Sequence, residues 1–241
     1  MIEFHEAAVS APALGGELTI LHPFSARLTE PKISIIGANG SGKSTLARLI
    51  NGLVAPTAGR ITIAPRSGGT TAPGSRAEPL DTTRDGAAVR RTVGFVFTDP
   101  SAQMIMPTVA EDVELSLRRT HRDKTERRAA AAQTLERFGL LELKDRSVHA
   151  LSGGQRQLLA IASVLATDPA ILIADEPTTL LDLANSRRIG DLLMGLPQQT
   201  IVVTHDLELA ARADRTLVVQ DGRIAFDGAP HEAVAWYRAN A

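Results

Sequence analysis

Short apolar runs alternate with segments of helical period along most of the chain. Within residues 43–53, Leu46, Leu49, Ile50 and Leu53 keep the i, i+3, i+4, i+7 spacing of an amphipathic helix. Apolar runs that end at glycine or polar residues are typical of buried strands, and four of them lie at 32–37, 93–97, 170–175 and 200–205. We therefore predict an α/β core with a parallel sheet.

The remaining elements complete this organisation. A helical period extends from 109 to about 167, with Gly139 as a helix C-cap, so a mostly helical subdomain at 98–167 interrupts the α/β core. Further predicted elements are short N-terminal strands at 2–4 and 17–21, a strand from 59 to 63, a helix around 186–195, a hairpin around Asp221-Gly222 and a helix from about His231.

Residues 64–86 interrupt the pattern. They are rich in Gly, Ser, Thr and Pro and show no apolar period, which predicts an exposed, flexible loop over most of this segment. A tolerated surface insertion accounts for such a loop, and we assign it no function.

Composition and charge narrow the class of protein. The 241 residues carry a formal net charge of −1, which gives no electrostatic case for nucleic-acid binding. Cysteine is absent, which excludes thiol chemistry, and the six histidines are scattered without metal-binding spacing. No run approaches the roughly 18 apolar residues of a membrane span, and no signal peptide is visible. We expect a soluble protein that contacts a membrane only through partners.

The segment GANGSGKS, at 37–44, matches the phosphate-binding pattern G-x-x-x-x-G-K-[ST]. It lies between a predicted strand and a predicted helix, which makes a simple glycine turn the weaker interpretation. Backbone N–H groups and the helix N-terminus would hold an anion, Lys43 would reach the β- and γ-phosphates, and the Ser44 hydroxyl would bind Mg²⁺. The predicted ATP-binding residues of this loop are Gly37, Ala38, Asn39, Gly40, Ser41, Gly42, Lys43, Ser44 and Thr45.

Two later strands end in residues suited to the rest of such a site. Asp175 closes the strand at 170–175, at the carboxyl end where α/β proteins place ligands, and would hold Mg²⁺ through water. Glu176 follows and would polarise the attacking water as general base. His205 ends the next strand, where it would reach the γ-phosphate or hold Glu176. A strand-end histidine is by itself more often structural, and an Asp-Glu pair is commonly a turn. Their order behind a phosphate-binding loop favours catalysis.

The segment LSGGQRQ, at 151–157, places two glycines at the start of a long apolar helix, where each costs about 1 kcal/mol relative to alanine. With this segment beside the other motifs, the chain resembles the ABC-transporter ATPases along nearly its whole length. In family order it carries Walker A at 37–44, the signature at 151–155, Walker B at 171–176, the D-loop at 178–182 and the switch histidine His205.

The resemblance implies an α/β P-loop NTPase fold in one domain, residues 1–241. A RecA-like core with an N-terminal antiparallel β subdomain would occupy 1–97 and 168–241, and a helical signature subdomain would occupy 98–167. In this family the signature of one copy meets the ATP of another in a head-to-tail dimer. Ser152 and the N–H groups of Gly153 and Gly154 would bind that γ-phosphate, with Gln155 beginning the helix that points at it. Asp182 of the D-loop would belong to the nucleotide site, and Lys43, Glu176 and His205 would be catalytic.

The branch of the family is indicated by residues 97–113, FTDPSAQMIMPTVAEDV, which resemble the Q-loop region of energy-coupling-factor ATPases. That branch works with a transmembrane coupling protein and a small substrate-binding membrane protein. The segments at 37–53 and 175–189 look most like the ATPases of biotin importers, with cobalt or nickel import as the alternative. We expect a homodimer, because the residues needed for hydrolysis and the signature are both intact. These partners would hold the dimer at the cytoplasmic face of the membrane.

Three departures qualify the resemblance. Thr98 stands where the family has the Q-loop glutamine; its hydroxyl would still approach Mg²⁺ or water, so we retain Thr98 as a candidate metal ligand. No aromatic residue that would stack on adenine is evident at 9–12, and TTLLD replaces the commoner TAGLD. Two other functions stay open: an ABC ATPase acting on nucleic acid or the ribosome, and a regulator of cell-envelope enzymes. The single cassette and near-neutral charge argue against the first of these.

Overall fold

The structure is a computed structural model that describes residues 1–13, 16–64 and 78–240. Its strands are β1 Ile2–Ala13, β2 Gly16–Leu28, β3 Lys32–Ile36, β4 Ala58–Ile63, β5 Leu80–Asp81, β6 Val93–Val96, β7 Ile171–Asp175, β8 Gln199–Val203, β9 Arg215–Gln220 and β10 Arg223–Gly228. Its α-helices are α1 Lys43–Asn51, α2 Gly86–Thr92, α3 Val109–Leu117, α4 Lys124–Arg137, α5 Gly153–Leu165, α6 Leu183–Gly195, α7 Leu207–Ala210 and α8 Pro230–Asn240.

Six strands form the central sheet in the order β10-β9-β3-β8-β7-β6. The five strands from β9 to β6 are parallel, and β10 joins the edge as an antiparallel hairpin with β9. β3, β7 and β8 are buried almost throughout, as expected of strands covered on both faces. Because β3, β8 and β7 are neighbours, their carboxyl ends meet at one edge of the sheet.

A second, antiparallel sheet has the order β2-β1-β4-β5. Its apolar side chains, among them Phe4 and Leu21, share one core with Ile35 of β3 and Leu46 of α1. The N-terminal strands are much longer than the predicted 2–4 and 17–21. At the hairpin end the residues of β2 are exposed. Backbone pairing therefore extends the strands there, although the sequence shows no apolar alternation that would predict them.

The helical segment between β6 and β7 has its own core, built by residues such as Val113 of α3, Leu135 of α4 and Leu159 of α5. The buried Asp112 ties its entry loop in place. Its Oδ1 accepts from the backbone N–H groups of Ile105 and Met106, at 3.0 and 3.2 Å.

The predicted α/β fold with an antiparallel N-terminal sheet and an inserted helical segment is confirmed. The exact boundaries at 97/98 and 167/168 stay predictions. Of the predicted flexible loop at 64–86, residues 65–77 lie outside the described residues. The prediction was wrong for its end, because β5 pairs with β4 and α2 begins at Gly86. Side-chain caps organise this stretch: Asp85 accepts from Asp81 N at 2.9 Å, and Asp81 accepts from Thr83 N.

Candidate nucleotide-binding site

The phosphate-binding loop joins β3 to α1 with three glycines in the left-handed region, Gly37, Gly40 and Gly42. Ala38, Asn39 and Gly40 are exposed at its tip, whereas Ser41 is buried at its base. The β9–β10 turn supports that base, since Gly222 N donates to Ser41 O at 3.0 Å. The loop is thus anchored from behind and open in front, at the N-terminus of α1, where a phosphate would meet free N–H groups.

Lys43 lies at the first position of α1 and is 6% exposed. Its Nζ donates to Ala38 O at 2.8 Å, across the loop that both residues belong to. Burial lowers the pKa of Lys43, and the nearby charges of Glu176 and Asp175 partly offset that effect. The ammonium group therefore already lies inside the loop, close to two carboxylates, as the predicted phosphate role requires.

Ser44 and Asp175 come together across α1 and β7. The Ser44 hydroxyl donates to Asp175 Oδ1 at 2.9 Å. Asp175 is fully buried, its Oδ2 has no hydrogen-bond partner, and Arg48 Nη2 lies 3.7 Å from that oxygen. Burial raises the pKa of Asp175, and the hydrogen bond from Ser44 and the charge of Arg48 oppose that shift. A hydroxyl beside a carboxylate with a free oxygen is a hard-donor set that fits Mg²⁺.

Glu176 and His205 form the second polar contact of the site. His205 Nδ1 lies 2.7 Å from Glu176 Oε2, and Thr179 Oγ1 donates to the same oxygen at 3.2 Å. The backbone of Glu176 is left-handed, with φ of 53°, and its N–H donates to Val203 O of the neighbouring strand β8. A non-glycine residue held in this region is a local strain of the kind found at functional sites.

The signature segment begins α5 with a complete capping box. Gln155 N donates to Ser152 Oγ at 3.3 Å, and Ser152 N donates to Gln155 Oε1 at 2.9 Å. The helix starts at Gly153, two residues earlier than the predicted Gln155. Both glycines therefore lie in its first turn, where backbone N–H groups have no partner within the helix.

The two glycines of the signature differ in their surroundings. A Cβ on Gly154 would lie 2.7 Å from the side chain of Asn185, so packing within the chain already requires glycine there. A Cβ on Gly153 would meet Leu181 at an ordinary 3.7 Å. The chain's own packing therefore does not explain Gly153, which fits its predicted approach to a ligand.

Asp182 caps α6. It accepts from Asn185 N and Asn185 Nδ2, both at 2.8 Å, and these hydrogen bonds lower its pKa. This local role is sufficient to explain the carboxylate, so its contact with nucleotide stays a prediction. Beside it, Leu180 is 91% exposed with a left-handed backbone, φ of 69°, and Leu183 is 65% exposed.

Thr98 lies two residues beyond β6 and is half-buried. Among the described residues no hydrogen bond links it to the Ser44–Asp175 pair, and its role as a metal ligand stays a prediction. The side chain of the nearby Gln103 contacts the end of β6 instead. Phe97 N donates to Gln103 Oε1 at 3.1 Å, and Gln103 Nε2 donates to Phe95 O at 3.2 Å.

Within one chain, the structure brings Lys43, Ser44, Asp175, Glu176 and His205 to one edge of the sheet. The signature segment packs elsewhere, against Leu181 and Asn185 near the start of α6. Three residues that contact the predicted site residues were not singled out from the sequence. Arg48 was detectable from its i, i+4 spacing to Ser44, and Thr179 lies within the D-loop at 178–182. Asn185 had no such signal.

No helix in the described ranges 1–13, 16–64 and 78–240 combines the length and apolar character needed to cross a membrane.

Known proteins resemble this chain over most of its length. The ABC transporter family model matches residues 25–179. The biotin transport ATP-binding protein BioM of Rhizobium etli is 44% identical over 237 residues, which cover 98% of this chain and 97% of that protein. The energy-coupling factor transporter ATP-binding protein EcfA2 of Methanospirillum hungatei is 40% identical over 207 residues, which cover 84% of this chain and 49% of that protein. The dimeric, post-hydrolysis ATP-binding cassette MJ0796 bound to ADP and Pi matches with a TM-score of 0.81 at 29% identity, over 95% of this chain and 99% of that chain.

Proposed function

Since this chain belongs to the ABC transporter family of ATPases, we propose that it powers an energy-coupling-factor importer whose solute is biotin. The family membership makes the chain an ATP-binding, ATP-hydrolysing transporter subunit. The proposal adds the branch and the solute. Its main support is the near-complete alignment with a biotin transport ATP-binding protein, together with the EcfA2 relative and the sequence of residues 97–113.

The proposed catalytic step uses the contacts of Glu176. Its carboxylate accepts a proton from water as the water oxygen attacks the γ-phosphorus and the bond to the bridging oxygen of ADP breaks. His205, 2.7 Å from Oε2, fixes the direction of that carboxylate, and Thr179 donates to the same oxygen. Lys43 neutralises charge on the β- and γ-phosphates from its buried position in the loop.

Ser44 and Asp175 are the residues that would hold Mg²⁺, which when bound neutralises charge on the phosphate oxygens. The free Oδ2 of Asp175 and the adjacent Ser44 hydroxyl support this assignment.

We propose that a second copy completes the site on the far side of the γ-phosphate. Gly153 and Gly154 lie in the first turn of α5, where N–H groups have no partner within the helix, and they pack against Leu181 and Asn185 near α6. A head-to-tail dimer would bring two signatures to two loops, so that ATP binding joins the copies and hydrolysis separates them.

The membrane partners would receive this movement near residues 98–112. An open groove flanks this segment, lined by residues of the core and of the helical segment on either side of 98–112, among them Leu53, Phe97, Ser116 and Val164. We propose that a transmembrane coupling protein docks at this junction and holds the chain at the cytoplasmic face, and that a substrate-binding membrane protein completes the importer. No solute would touch the chain itself.

Uptake of radiolabelled biotin and cobalt, measured in parallel in cells that carry this chain and its natural membrane partners, tests the proposal. We expect Glu176→Gln to abolish biotin uptake, because ATP hydrolysis at this site powers that uptake. Cobalt uptake should be unchanged, because the membrane partners select the solute. Loss of cobalt uptake alone would keep the branch and replace the solute. Loss of neither would contradict the importer role and favour a non-transport ABC ATPase.

A further inference from the structure

Arg48 contacts the buried carboxylate of Asp175 from one helical turn beyond Ser44. Its Nη2 lies 3.7 Å from Asp175 Oδ2, the oxygen without a hydrogen-bond partner, while Ser44 Oγ donates to Oδ1. Residues four apart share one face of an α-helix, so Ser44 and Arg48 approach the carboxylate side by side. The carboxylate is therefore held by two residues of α1, one neutral and one charged.

Arg48 differs from the other cation of the site. The Lys43 ammonium is buried and donates to Ala38 O, within the phosphate-binding loop. The Arg48 side chain is 43% exposed, and its long apolar stem lets the charged head move between Asp175 and water. A guanidinium stays charged at all physiological pH values. Arg48 is thus a permanent positive charge beside Asp175 that can be withdrawn.

We propose that Arg48 is a placeholder cation, which neutralises Asp175 while nucleotide is absent and disfavours a free divalent cation at Ser44–Asp175. A buried carboxylate without a counter-charge is costly, and a guanidinium within 4 Å of that carboxylate repels a second cation. ATP supplies the negative charge that lets the metal enter, so the metal binds with nucleotide rather than ahead of it. The inference rests on the proposed role of Ser44 and Asp175 as Mg²⁺ ligands.

Mn²⁺ binding to the nucleotide-free protein, measured by electron paramagnetic resonance, tests the placeholder role of Arg48. We expect Arg48→Met to tighten Mn²⁺ binding about tenfold, because a repelling unit charge is removed at short range. The same variant should melt at a lower temperature in the absence of metal, since Asp175 loses its counter-charge. Arg48→Lys keeps a charge and should behave like the wild type in both measurements.

Arg212→Met is the matched control, because Arg212 is also 43% exposed but pairs with the surface residue Asp191. It should leave Mn²⁺ affinity unchanged. Unchanged or weaker Mn²⁺ binding in Arg48→Met would overturn the placeholder role. A merely structural role for Arg48 would lower the melting temperature without tightening Mn²⁺.

An Asp175→Asn arm separates this inference from the metal site itself. In the wild type, Mn²⁺ should strengthen ADP binding, and Asp175→Asn should remove that gain. If Asp175→Asn has no effect, the proposed metal ligands are wrong and the inference falls with them. If Asp175→Asn behaves as expected and Arg48→Met does not tighten Mn²⁺, only the inference is overturned.

Discussion

Glu176→Gln is expected to lower steady-state ATP turnover by at least about a hundredfold, the usual contribution of a general base, while ATP binding is retained. The amide keeps the size of the side chain and can still contact His205 and Thr179, so the left-handed turn and its neighbours have no reason to move. It cannot accept the proton of the attacking water. The loss should therefore fall on kcat, with little change in the affinity for nucleotide.

Phosphate release gives the turnover, and calorimetric titration with ATP gives the affinity. Glu208→Gln is a suitable control, because Glu208 is an exposed carboxylate three residues from His205 that has no proposed part in catalysis. It should behave as wild type. Wild-type turnover in Glu176→Gln would remove the general-base assignment and leave Glu176 a structural residue.

Lys43→Ala is expected to abolish tight ATP binding, with an affinity loss of at least about tenfold, the usual value of a hydrogen bond to a charged group. The ammonium is buried in the phosphate-binding loop, so a solvent-exposed side chain cannot readily take its place. Folding should be little affected, because burial of the charged amine is itself costly and lowers its pKa.

Titration with ADP, which is not consumed, measures this loss, and urea unfolding without nucleotide checks the fold. Lys124→Ala is the matched control: Lys124 is also the first residue of an α-helix, but it is exposed and remote from the phosphate-binding loop. Equal ADP affinity in wild type and Lys43→Ala would contradict the phosphate role of Lys43.

The sequence was sufficient for the inner strands of the central sheet because they are buried on both faces and form unbroken apolar runs. β3, β7 and β8 follow the predicted runs closely. The antiparallel sheet was harder, since half of β2 is exposed and its pairing is carried by backbone groups with no side-chain signal. The pair Leu80–Asp81 was missed for a similar reason: two residues are too few for any alternation to appear.

The candidate site was predictable in its members but not in its contacts. Order along the chain indicated that Ser44, Asp175, Glu176 and His205 belong together, because three neighbouring strands end there. The contact between Arg48 and Asp175 depends on the orientation of α1 over β7, and no local sequence pattern indicates it. Asp182 was predicted from the sequence to bind nucleotide, whereas the structure shows it as the N-cap of α6.

The signature glycines illustrate how function and packing share a motif. Gly154 is required by Asn185 of the same chain, so its presence does not by itself indicate a ligand. Gly153 has room for a side chain within the chain and is the stronger pointer to an outside partner. The proposed contact with the ligand of a second copy would explain why a helix begins with a residue that costs it stability.

The mass of the Glu176→Gln protein in solution, with and without saturating MgATP, shows whether two copies share each ATP. We expect a shift from the 25.6 kDa monomer to twice that mass on ATP addition, and no shift with ADP. Adding Ser152→Arg to Glu176→Gln should block the shift while each phosphate-binding loop still binds ATP. A Glu176→Gln protein that binds ATP and stays monomeric, or a dimer indifferent to Ser152→Arg, would contradict the shared site.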